Sequence, residues 1–152
     1  MKISLMSRLL LYALYAGLAV AVLITATLPF LLDFYSKLLY DAYALAPGYK
    51  AFILPFLLFF GAAGTWVILE LIWMLRSIPR GPFITRNVLA LKRVGFIFLA
   101  LALEFFGKCF YYVTFLTMLG CVIFLLGGLF AFTLANLFRQ AVVYREENEL
   151  TI

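Results

Sequence analysis

Charge is scarce in this chain, and histidine is missing altogether. Only 12% of its 152 residues are Asp, Glu, Lys or Arg, against about a quarter in a soluble domain. So few charges cannot cover a surface that faces water, which leaves lipid as the solvent. Without histidine the commonest general base and the commonest metal ligand are gone. Two cysteines make neither a metal site nor a disulfide framework. The sequence also lacks a glycine-rich phosphate loop, a cluster of metal ligands and a nucleophile set beside a base. Neither catalysis nor a bound cofactor or metal is therefore expected.

What is plentiful is apolar. Hydrophobic residues make up 67% of the chain and aromatic ones 18%. A helix that crosses a bilayer needs about 20 mostly apolar residues, and the chain can be cut into four such stretches. The first runs from Leu9 to Leu32, between Arg8 and Asp33, with Thr25, Thr27 and Pro29 inside it. A cleaved signal peptide also starts with basic residues, but its apolar part is about 7–15 residues long. A retained helix is the expected reading. The second stretch runs from Ala51 to Leu75 and holds a single charge, Glu70, with Pro55 near its start.

The remaining apolar run, Val94 to Phe138, is too long for one helix. A turn at Phe115–Leu119, marked by Thr114, Thr117 and Gly120, divides it into two helices of bilayer length. The expected spans are then about 9–32, 51–75, 92–114 and 119–139, followed by a tail over 140–152. This division places Glu104 and Lys108 inside the third span, as a neutralised pair four residues apart. Glu70 is expected to meet either Arg76 or a basic residue of the third helix. Cys109 and Cys121, on either side of the turn, read as two buried thiols, with a disulfide as the alternative.

Basic residues in short loops mark the cytoplasmic side. Arg76, Arg80, Arg86, Lys92 and Arg93 crowd the second connection with no acid among them. Lys2 and Arg8 precede the first span, and Arg139 and Arg145 follow the last. The first connection offsets Lys37 and Lys50 with Asp33 and Asp41. The expected fold is an all-α bundle of four transmembrane helices with both termini inside. An external interfacial helix should lie after the first span, built from the aromatic segment Asp33–Lys50 and closed by Pro47-Gly48. Small residues at four-residue spacing, Ala13-Gly17-Ala21 and Gly127-Ala131-Ala135, together with the cluster Gly61–Gly64, should let helices approach closely. They serve packing within the bundle or, alternatively, a homo-oligomer. In the connection, a helix can start at Thr85, with Thr85 as its N-cap.

Two segments resemble a known family. GPFITRNVLALKRVG, from Gly81 to Gly95, is similar to the cytoplasmic loop of a bacterial four-helix membrane family, the domain of unknown function numbered 2975. Here Gly81 directly precedes Pro82, a small departure from the pattern. The ending FRQAVVYREENELTI resembles that family's acidic C-terminus. The matching positions are Pro82, Phe83, Asn87, Glu146, Glu147, Asn148, Leu150 and Thr151. The resemblance implies a bacterial inner membrane protein whose relatives are often encoded beside a small helix-turn-helix regulator. It carries no catalytic residues. The expected partner-binding set is Pro82, Phe83, Arg86, Asn87, Arg145, Glu146, Glu147 and Asn148. Direct nucleic-acid binding is not expected, because the basic residues lie against the bilayer. The alternative function is a small transporter or channel subunit that uses the intramembrane charges Glu70, Glu104 and Lys108.

Overall fold

The structure, a computed structural model, describes residues 5–40, 48–78, 81, 83–111 and 113–150. These form four helices: α1 (Leu5–Tyr40), α2 (Tyr49–Ser77), α3 (Thr85–Cys109) and α4 (Phe115–Leu150). Long apolar stretches with few charges have one stable form in lipid, the helix, because only there does the backbone satisfy its own hydrogen bonds. By length and composition α1, α2 and α4 can each cross a membrane, within Leu5–Phe34, Ala51–Ser77 and Phe115–Asn148. The fourth helix of the set, α3, carries Arg86, Lys92, Arg93, Glu104 and Lys108 and does not qualify alone.

The helices associate in order of sequence. Backbones approach between α1 and α2, α2 and α3, and α3 and α4, and between no other pair among the described residues. Neighbours run antiparallel, so the start of α1, the α2–α3 turn and the end of α4 share one end of the molecule. Arg76 of α2 lies over the ring of Tyr15 there, 5.4 Å from its centroid. Farther along, Gly61 lets α2 close on Thr25 of α1.

The tightest seam joins α3 to α4. A side chain at Gly128 would meet Leu99 at 3.1 Å and the carbonyl of Gly95 at 3.2 Å. Gly120 accommodates the ring of Phe105, which also packs on Phe56 and Phe60 of α2 and on Phe124 of α4. Three helices thus meet on one aromatic ring. At the other end of the seam Val88, Leu91 and the fully buried Ala135 form a small core, against which Met74 of α2 packs. The small-residue stripe of α4 therefore serves contact within the chain. That of α1 does so only in part, for a side chain at Gly17 would meet nothing within 4 Å.

Four expectations need correction. Phe115–Leu119 is the start of α4 and not a turn, for α3 ends at Cys109 and α4 begins at Phe115. Thr114 sets that start: its hydroxyl accepts from the Thr117 N–H at 3.2 Å, and its carbonyl accepts from the same N–H at 3.0 Å. The residue before α3 is Ile84, extended at φ −130°, so Thr85 is the first helical residue and not the cap. Asp33–Tyr40 is continuous with α1 instead of forming a separate interfacial helix, and residues 41–47 lie outside those described. Pro55 sits inside α2, which already begins at Tyr49.

Gly128 is the sensitive point of the seam, since one of its neighbours is backbone and cannot swing aside. Gly128→Leu should lower stability by about 1–3 kcal/mol, as overpacking does. Gly64→Ala, with nothing within 4 Å of the added carbon, should leave thermal unfolding in detergent unchanged. Equal melting of the two variants would contradict this seam.

Candidate functional site

The α2–α3 connection is short and stiff. Gly81 adopts φ +114°, a conformation that side chains rarely reach, and donates its N–H to the Ile78 carbonyl at 3.0 Å. A side chain there would come within 3.0 Å of the Arg145 guanidinium of α4. Phe83 packs edge-on against Phe138 of α4, with centroids 5.2 Å apart. The Ile84 carbonyl then accepts from the Asn87 N–H at 2.9 Å and α3 begins. The connection is thus folded down onto the far part of α4. Pro82 lies outside the described residues.

Two polar contacts hold α2 to α3 just below this turn. The Ser77 hydroxyl donates to the Asn87 side-chain oxygen at 2.8 Å and lies 2.6 Å from the Met74 carbonyl. Asn87 is only 3% exposed, and its side chain secures the turn from within. About two turns deeper, Glu70 is 1% exposed. Its carboxylate accepts from the Arg93 guanidinium at 2.8 Å and from the Trp66 indole N–H at 3.3 Å. The Arg93 side chain is 52% exposed, so it can neutralise Glu70 and still turn other N–H groups outward. Of the two partners expected for Glu70, the third helix supplies the one observed. Arg76 turns instead to Tyr15.

Arg86, Arg139, Arg145, Glu146, Glu147 and Asn148 are exposed around this end. A groove of about 280 Å³ runs between α3 and α4. Val88, Leu89 and Val142 floor it, while Lys92, Arg139 and Glu146 edge it. A second depression, of about 590 Å³, lies on α4 beside Gln140, Tyr144 and Glu147. An apolar floor with charges of both signs at its rim suits a polypeptide surface better than a small apolar ligand. Among the described residues no group of three or more Cys, Asp or Glu could hold a metal ion.

The other sequence-expected charges lie at the opposite end. Glu104 and Lys108 fall within the last two turns of α3, so Glu104 is far from the middle of the helix. They do not pair: the Lys108 ammonium sits 4.8 Å from the Phe56 ring centroid, and Glu104 Oε2 is buried without a hydrogen-bond partner. The thiols of Cys109 and Cys121 are free and half-buried. Cys121 Sγ faces the Ala102 carbonyl at 3.6 Å, about 10 Å short of Cys109 at the helical rise. That offset exceeds the reach of a disulfide.

Sequence reasoning missed the Ser77–Asn87 bond and the role of Trp66. The first had a signal, since two hydrogen-bonding side chains flank a Pro- and Gly-containing turn. Removing one side of the Glu70–Arg93 pair should have unequal effects. Arg93→Met strands a buried carboxylate and should cost about 3–5 kcal/mol. Glu70→Gln leaves a half-exposed guanidinium and an acceptor for Trp66, so its loss should be distinctly smaller. Thermal unfolding in one detergent compares them, and equal losses would show that the pair is not what holds these helices.

No curated protein and no solved structure matches the chain. Residues 37–152 match the family described as Protein of unknown function (DUF2975). The match takes in α2, α3, α4 and every described residue of the surface built from the α2–α3 connection and the end of α4. It leaves nearly all of α1 outside. On this match, which covers most of its length, the chain belongs to the DUF2975 family.

Proposed function

We propose that this chain is a multi-pass protein of a bacterial inner membrane whose two ends lie in the cytoplasm, and that it docks a cytoplasmic helix-turn-helix regulator on the surface shared by the α2–α3 connection and the end of α4. One observation carries the reading. Gly81 and Phe83 lie on Arg145 and Phe138, so the two segments that resemble the family are one surface. At about 1.5 Å per residue, the 36 residues of α4 exceed a hydrocarbon core of about 30 Å. Its last turns therefore stand clear of the lipid, with Glu146, Glu147 and Asn148 exposed. Acidic groups on such an extension are repelled by the negative membrane surface and held where a soluble protein can reach them. Basic side chains behind them, Arg86 and Arg139, suit the anionic headgroups of the same leaflet.

Transport through the helices finds less support. Glu70 is already held by Arg93, and Glu104 lies about 16 Å farther along α3 by helical rise. The two carboxylates do not line one path.

Two experiments test the reading. A pull-down from solubilised membranes should recover the regulator with the intact chain. Recovery should disappear on deletion of residues 139–152 and on the double charge reversal Glu146→Lys, Glu147→Lys, while Glu104→Gln should have no effect. Recovery that ignores the tail would sink the docking role. Orientation is tested separately in a chain with Cys109 and Cys121 replaced by serine. A single Asn148→Cys should react with a membrane-impermeant maleimide only in opened cells, and Val113→Cys in intact ones. The reverse pattern would invert the assigned topology.

A further inference from the structure

At the α3–α4 end, opposite the docking surface, the first turns of α2 and the last turns of α3 border an open groove of about 340 Å³. This is the lower range of small-molecule pockets, about 300–1,000 Å³. Phe52, Pro55 and Phe56 line it from α2, and Glu104 and Lys108 from α3. Tyr111 completes the wall, its ring 4.6 Å from that of Phe52.

The arrangement is unusual for a Glu and a Lys one helical turn apart. In lipid the two charges should neutralise each other, yet Lys108 rests on the face of Phe56. Glu104 meanwhile keeps a buried oxygen with no donor from the described protein. A carboxylate oxygen removed from water without a donor is costly. The groove thus presents a carboxyl group and a separate cation between aromatic walls. A ligand complementary to both carries an ammonium and an acid on one short frame.

We propose that this pocket binds the headgroup of a zwitterionic phospholipid with a primary ammonium, the ammonium meeting Glu104 and the phosphate meeting Lys108. Three observations favour a lipid as the source. The groove opens between the start of α2, which is apolar enough to span a bilayer, and the end of α3, and headgroups collect at the ends of spanning helices. Lys108 stands in the last turn of α3, where a long basic side chain reaches toward phosphate. The aromatic walls favour a cation over a neutral group. A primary ammonium also offers three N–H donors, and a quaternary one offers none. Glu104 therefore discriminates between headgroups that carry the same charge. The proposal rests on the membrane-spanning fold and not on the docking of a regulator.

The test uses the full chain, purified in detergent and stripped of lipid. Phosphatidylethanolamine, phosphatidylcholine and phosphatidylglycerol with identical acyl chains are added in turn, and retained lipid is counted by native mass spectrometry. Phosphatidylethanolamine should be held about tenfold more tightly than either of the others, the discrimination expected of one charge-assisted hydrogen bond. Glu104→Gln and Lys108→Met should each abolish the preference. Gly107→Leu supplies an independent variant. Gly107 lines the same groove, and a side chain there meets nothing within 4 Å. The substitution should fill the pocket without unfolding the helix, and binding should fall with it. Gly64→Ala, where the added carbon meets nothing within 4 Å, should change nothing. Equal retention of the three lipids by the unmodified chain would overturn the proposal, as would a preference that survives Glu104→Gln and Gly107→Leu. Tighter binding of soluble phosphoethanolamine than of the lipid would overturn the lipid assignment and give the pocket to a free zwitterion.

Discussion

The ion pair between Glu70 and Arg93 joins α2 to α3 and gives a buried carboxylate its partner. Glu70 is almost wholly enclosed, and burying a carboxylate without a partner is costly. That requirement sets the height of α3 against α2. Once the height is set, Ser77 stands opposite Asn87, and the connection between the helices must be short. The shortness throws Gly81 and Phe83 onto α4. The surface offered to a partner therefore depends on a contact some two turns beneath it.

The aromatic contacts at the other end act differently. Phe105 is gripped by rings from two neighbouring helices and by the space Gly120 leaves. Packing of this kind is strong in lipid because it relies on close contact and not on the expulsion of water. It holds α2, α3 and α4 together, while among the described residues the backbone of α1 approaches that of α2 alone. The family match follows the same division, beginning at residue 37 near the end of α1. The three helices that meet on Phe105 also lie within the family match.

Much of this was readable beforehand from the chain. Apolar runs placed four helices, and the acid-free connection singled out the region where the chain turns onto α4. A basic residue of the third helix was among the expected partners of Glu70. The reading failed where it used bilayer thickness to position the last turn. Polar residues are scattered through Phe105–Leu119, from Lys108 to Thr117, so length alone cannot say which of them marks the turn. Cap chemistry does: Thr114 serves the N–H of Thr117, and α4 starts beside it. That shift moved Glu104 from mid-helix toward an end and separated Cys109 from Cys121. Asn87 shows a related ambiguity. A polar residue in a resembling motif reads equally well as a contact to a partner or as an internal fastening, and only burial distinguishes them.

Three of the four helices are apolar enough to enter a bilayer unaided, and α3 is not. Each charge at the centre of an isolated helix opposes insertion by roughly 2.5–3.5 kcal/mol. Relief for α3 comes from outside it: α2 brings the carboxylate for Arg93, and α4 covers the face of Val88, Leu91 and Gly95. The order of synthesis then matters. As the chain emerges, α1 and α2 can settle in the membrane at once, but α3 has no stable place there until α4 has been made. The final two helices should accordingly enter as a hairpin, and a ribosome halted before residue 115 would leave α3 waiting at the surface.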